Sequence, residues 1–274
     1  TGFQRVVIGQ LPDLLVRPLV LLTAVGVLLL LGSLNPATAV AAFISGAGIA
    51  FLVSVILLRR VFRYGKKTPR QLTYMGDENR QWIRAWVPFT LLASTLNAQI
   101  GILLLGWLST DEQVAAMQVA ERAAMLVTLS LAVVNLVIGP HITQVHRSGD
   151  NKRLQALSRQ SARMALLVAL PIGLPLIFFA GPVIGLVFGE DYRDLATWPL
   201  VILVIGQLVN VAFGSVGILL MMSGYERDTL LGHALALFLN FAVALVIIPA
   251  YGVVGAAVAA VLGVVFWNSI LAAM

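Results

Sequence analysis

Residues 59–84, RRVFRYGKKTPRQLTYMGDENRQWIR, hold eight of the chain's eighteen Lys and Arg residues and separate two long runs, 38–58 and 85–108, that hold none. A charged stretch punctuated by Pro69 and Gly76, set between uncharged apolar runs, reads as a linker at a membrane surface. Working outward, further apolar runs bring the total to eight: 14–34, 38–58, 85–108, 114–139, 162–180, 198–222, 229–249 and 253–274. Most are close to the roughly 20 residues that carry a helix across about 30 Å of hydrocarbon. The expected fold is all-α, a polytopic membrane helix bundle with eight transmembrane helices. The basic linker divides them two and six, so the expected domains are 1–58, the linker 59–84, and 85–274.

The cations also give the bundle a direction. The leader 1–17 and the connections 59–84, 140–163 and 223–228 hold sixteen of them, whereas 32–37, 109–113, 181–197 and 250–252 hold only Arg193. By the positive-inside rule both ends of the chain are expected in the cytoplasm. Composition agrees: charged residues are 11% of the chain, against roughly 25% in soluble domains. The net charge of +6 lines membrane borders, which implies anionic lipid as a partner and no nucleic acid. With no Cys in the chain, disulfides and thiolate zinc sites are excluded, and no cofactor is implied. The first apolar run lacks a signal-peptide cleavage pattern, so the chain is expected to begin inside a longer protein.

Soluble-enzyme signatures are missing: there is no Walker loop, no histidine pair spaced for a metal and no G-x-S-x-G elbow, so the expectation is a non-enzyme. The residues that stand out are polar groups inside apolar runs. Glu121 and Arg122 lie in the fourth run, where an unpaired Arg costs about 2.5–3.5 kcal/mol even on the lenient insertion scale. Neighbouring helix positions point about 100° apart, so Gln118, Arg122 and Met125 form one stripe, Glu121 and Thr128 another, and the two stripes are expected to meet different surroundings. Ser94 with Asn97, and Gln207 with Asn210, are amide and hydroxyl stripes that suit either a shared cavity or interhelical hydrogen bonds. His233 is expected to hydrogen-bond between helices. Glu190, Asp191 and Asp194 read as a solvated outer loop, 150–163 as an interfacial amphipathic helix, and Pro88, Pro171, Pro175, Gly214 and Gly217 as places where the bundle bends.

One family resemblance is specific. Phe188, Gly189, Glu190 and Tyr192 in F-G-E-D-Y-R-D-L-A, Gly224 after L-L-M-M-S, and Pro249, Tyr251, Gly252 and Gly255 in P-A-Y-G-V-V-G-A-A resemble the C-terminal lobe of the Wzx-like polysaccharide flippases, members of the multidrug, oligosaccharidyl-lipid and polysaccharide exporter superfamily. The match runs through roughly 86–274, with Ala120, Glu121, Arg122 and Pro140 contributing. It implies two six-helix lobes around a central cavity, of which this chain would hold the last two helices of the N-lobe and a complete six-helix C-lobe, the rest of the N-terminal lobe being missing. It further implies alternating access to an undecaprenyl-diphosphate-linked oligosaccharide for surface polysaccharide biosynthesis, in the bacterial inner membrane. Arg122, Arg17 and Arg5 are then the available cationic candidates for the diphosphate, Arg122 and Arg17 foremost, and Glu121, Asn97 and Gln207 are further substrate-binding residues. The rival within the superfamily is a drug or metabolite cation antiporter, for which Glu121 would matter most. The rival outside it is a membrane glycan polymerase or ligase, which calls for a larger outer loop than 181–197.

Overall fold

The computed structural model describes residues 16–33, 35–64, 77–148, 151–214 and 226–273. They form helices α1 (Arg17–Leu30), α2 (Pro36–Tyr64), α3 (Asp77–Leu108), α4 (Asp111–Ser148), α5 (Asn151–Phe178), α6 (Ala180–Phe188), α7 (Arg193–Phe213) and α8 (Glu226–Ala273), with one 3₁₀ turn at Glu190–Tyr192. Among the described residues five helices are long and apolar enough to cross a membrane: Ala37–Ile56, Asp111–Val134, Ala156–Phe178, Glu190–Phe213 and Thr229–Ile270. Pro18–Leu30 and Leu92–Leu108 are shorter apolar helices among the described residues, and length and composition there establish five spanning helices without fixing the expected count of eight. The last of the five contains the expected 229–249 run and most of 253–274, because α8 comprises two helical limbs that meet at the non-helical Gly252.

The chain divides into two compact units, Thr1–Thr73 and Tyr74–Met274. In the first, α1 and α2 pack together as a hairpin. Gly32 turns it with φ 62°, and Asn35 starts α2. Asn35 Oδ1 accepts from the Thr38 backbone N–H, and Thr38 Oγ1 accepts from the Asn35 N–H, both at 2.9 Å. This reciprocal cap satisfies two donors that a helix start would otherwise leave open, and Pro36 after it needs no donor.

The second unit is a bundle centred on α7, which packs against α4, α5, α6 and α8, while α3 packs chiefly on α8. Small residues set the spacing. On α4, Ala116, Ala120, Ala123, Ala124 and Val127 are buried, a stripe at steps of three and four that faces the core. On α5 the stripe Ser161, Ala165, Ala169 and Gly173 does the same, and a Cβ on Gly173 would stand 3.1 Å from Leu208 of α7. Close backbone approach of this kind drives helix association where no hydrophobic gain separates protein from lipid.

Several expected breaks are not breaks. Helix α5 runs unbroken from Asn151 to Phe178 through Pro171 and Pro175, both of which point outward from the stripe that packs. The interfacial helix expected at 150–163 is therefore continuous with the span after it. The outer loop expected at 181–197 is mostly helical, comprising α6, the 3₁₀ turn and the start of α7. Within it Glu190 pairs with Arg193 at 3.1 Å. Gly214 does end α7, at φ 74°, where a Cβ would lie 2.8 Å from that of Ala162. Gly217 and Gly224 lie outside the described residues, as does the middle of the basic stretch, 65–76.

The sharpest bend is at Gly252, with φ 54° and ψ −130°. It folds α8 into an antiparallel pair of limbs in close contact: Gly232 lies under Trp267, Gly263 against Asn240, and Gly255 against Ile247. The Gln113 side chain of α4 fills the space where a residue-252 Cβ would sit, and its Oε1 accepts the Val253 N–H at 2.8 Å. One residue of α4 thus holds the bend of α8.

Candidate functional site

Off the buried alanine stripe, α4 turns Gln118, Glu121, Arg122 and Met125 into a cavity of about 560 Å³. Its other walls are Ser94 and Asn97 from α3, Leu203 and Gln207 from α7, and Asn240 and Val264 from the two limbs of α8. Four of the five residues expected to bind substrate, Arg122, Glu121, Asn97 and Gln207, therefore meet at one place. Arg17, the fifth, begins α1 in the other unit, and its side chain lies outside the described residues. The expectation that Glu121 and Arg122 meet different surroundings is corrected. The cavity spans the whole sector of α4 between them, so positions about 100° apart open onto the same space.

The cavity wall is a polar strip inside apolar helices. Asn240 is 2% exposed and donates Nδ2 to the Asn97 backbone carbonyl at 3.3 Å and to Asn97 Oδ1 at 3.2 Å. The backbone carbonyl only accepts, which fixes the orientation of the Asn240 amide. Its Oδ1 is then left buried with no partner. On the opposite wall Asn210 Nδ2 donates to Gln207 Oε1 at 3.3 Å, and Asn268 Nδ2 donates to Asn210 Oδ1 at 2.8 Å. The amide stripes thus serve both expected roles: Asn97 and Gln207 face the cavity and Asn210 bonds between helices. Among the described residues neither Glu121 nor Arg122 makes a salt bridge or hydrogen bond.

Among the described residues His233 does not make the expected interhelical bond. Its ring stacks on Trp267 with centroids 3.6 Å apart, and its Nδ1 is buried without a partner. Asn240, Gln113 and Asn268 are the structural residues that sequence reasoning did not single out as a set. Asn240→Ala removes the interhelical bonds to Asn97 and is expected to lower stability by about 1–2 kcal/mol, the upper range for such bonds in membranes. Thermal unfolding of the detergent-solubilised protein checks this, and an unchanged midpoint would remove the pair from the account of stability.

Apolar helices of spanning length, packed through small residues around a polar intramembrane cavity, define a multi-pass membrane protein with room for a solute. The chain belongs to the polysaccharide biosynthesis protein family, whose model matches residues 20–197. It is also 27% identical over 165 residues to the probable low-salt glycan biosynthesis flippase Agl15 of Haloferax volcanii. That similarity covers 59% of this chain and 34% of the relative, so the chain spans about a third of the relative's length. No solved structure matches.

Proposed function

We propose that the chain is part of a flippase that moves an undecaprenyl-diphosphate-linked oligosaccharide across the bacterial inner membrane by alternating access. The observation that carries the reading is Arg122: a guanidinium at membrane depth, opening onto a cavity lined by amides and by Glu121, and in no salt bridge among the described residues. A diphosphate cannot enter hydrocarbon unassisted, and the planar donor fork of Arg is the side chain that matches its oxygens two at a time. Asn97, Gln118 and Gln207 add donors and acceptors suited to sugar hydroxyls. Membership of a polysaccharide biosynthesis family and the name of the Haloferax relative support the same cargo class. Transport of this kind moves a molecule without making or breaking covalent bonds, so no catalytic residue is assigned.

In this reading 85–274 forms the second lobe, 1–58 ends the first, and 59–84 joins them on the cytoplasmic side, where both ends of the chain also lie. The sixteen-to-one distribution of cations supports that sidedness. Because the chain has no native Cys, single probes report cleanly. Asp150→Cys should react only from the cytoplasm and Asp111→Cys only from outside, and labelling of both from one side in intact cells would overturn the orientation.

A second reading has one observation in its favour: Glu121 borders the same cavity, as a cation antiporter requires. The two cargoes separate by substitution in the full-length protein. A flippase should lose glycan export with Arg122→Ala and keep much of it with Glu121→Gln, and an antiporter should show the reverse for drug efflux.

A further inference from the structure

A second cavity, of about 390 Å³, lies at the hairpin end of the same four helices. Its walls include Ser109 at the end of α3, Gln113 at the start of α4, Asp194 and Trp198 at the start of α7, and Tyr251 beside the α8 bend. On each helix it is displaced the same way from the main cavity: from Ile102 to Leu108, Gln118 to Gln113, Leu203 to Trp198 and Ala260 to Val254. Those steps of five or six residues are about 7.5–9 Å along the helix axes. The two cavities are offset along the bundle, the second toward the end away from the basic connections.

The two differ in chemistry. The main cavity offers charge and amides; the second offers two aromatic rings, Trp198 at 66% and Tyr251 at 68% exposure, beside a carboxylate and an amide. Gln113 is fixed in orientation because its Oε1 accepts the Val253 N–H, which leaves its Nε2 hydrogens directed elsewhere. Flat apolar rings with a few placed polar groups in a concavity are what a small polar ligand with one apolar face requires. A pyranose ring is such a ligand: its C–H face lies on an aromatic ring while its hydroxyls donate to the carboxylate and accept from the amide.

Exposed Trp and Tyr also anchor helices at membrane interfaces with no ligand at all. Trp107 is a residue of that kind, 78% exposed one position before the end of α3 and not part of the cavity wall. Trp198 and Tyr251 differ from it in bordering a concavity together with Asp194 and Gln113. We propose that this cavity is an exit-side site for one pyranose ring of the transported glycan. It rests on the flippase reading, and it assigns to Trp198, Tyr251 and Asp194 a role separate from diphosphate recognition at Arg122.

The test uses the full-length protein in a strain whose glycan export depends on it, with export and membrane abundance measured together. Trp198→Ala, Tyr251→Ala and Asp194→Asn should each lower export about tenfold at normal abundance, equivalent to about 1.4 kcal/mol. Trp198→Phe should recover part of the loss, and Trp107→Ala should leave export unchanged. Asp194→Asn and Trp198→Phe keep the test decisive if the Ala variants are poorly folded. Equal losses in Trp107→Ala and Trp198→Ala would show interface anchoring and overturn the site. Normal export in Trp198→Ala and Asp194→Asn with export lost in Arg122→Ala would overturn the site and spare the flippase reading. Normal export in all of them, Arg122→Ala included, would overturn both.

Discussion

Gly252→Ala should remove most of the folded protein from the membrane. The backbone at 252, φ 54° and ψ −130°, lies where a Cβ costs of order 1–3 kcal/mol. The space for that Cβ is already held by the Gln113 carboxamide, and overpacking of a filled site adds about 1–3 kcal/mol. Together, about 2–6 kcal/mol, they are a large share of the roughly 5–15 kcal/mol that keeps a domain folded. The two contributions separate in a double-mutant cycle. In a Gln113→Ala background the collision is gone and only the backbone strain remains, so Gly252→Ala should cost less there than in the wild type. Gln113→Ala alone deprives the Val253 N–H of its acceptor and should be destabilising by about 1–3 kcal/mol. Thermal midpoints of the four proteins in one detergent measure the coupling. Strict additivity would mean that Gln113 is not what confines the bend.

This bend was legible in the sequence, and the latch was not. P-A-Y-G between two apolar runs marks a turn, because Pro249 and Gly252 are poor helix formers at a boundary. Gln113 carries no such mark: a polar residue near the end of an apolar run needs no explanation until its partner, 140 residues away, is known. Asn268 escaped notice for the same reason. Glu121, Arg122, Asn97 and Gln207 were visible because each interrupts an apolar helix, where an unsatisfied polar group is costly. Their convergence is a matter of helix packing and follows from the alanine stripe on α4, which fixes which face is buried and which is left for the cavity.

Other readings failed for physical reasons that can be named. Pro171 and Pro175 suggested a broken helix, yet both lie on the side of α5 away from the packed stripe, and the helix continues through them. The charged stretch 181–197 suggested a loop by its polarity, but Glu190 and Arg193 are three apart and pair along a helical turn. Charge and apolar length alone do not separate a solvated loop from a helix end whose charges satisfy one another.

Arg122 gives the prediction with the largest functional effect. If it grips a diphosphate, Arg122→Ala in the full-length protein should abolish export while membrane abundance stays normal, because no salt bridge among the described residues is broken when the guanidinium is removed and Glu121, which borders the same cavity, is left facing open space. Arg122→Lys should recover part of the activity, since the charge remains and the bidentate fork is lost. A structural Arg behaves otherwise: breaking a buried pair costs about 3–5 kcal/mol, so abundance would fall before any transport step is reached. The placement of Arg122 on an open cavity wall argues for the first outcome. Its i−1 neighbour Glu121 faces the same space, which supplies an internal control. Glu121→Gln removes the opposing carboxylate at nearly constant shape, so a diphosphate should bind at least as well as before. Export that survives Glu121→Gln and disappears with Arg122→Ala, at equal abundance, assigns the cavity to anionic cargo. Normal export in the Arg122→Ala protein would take the residue out of the mechanism, and the diphosphate assignment of the cavity with it.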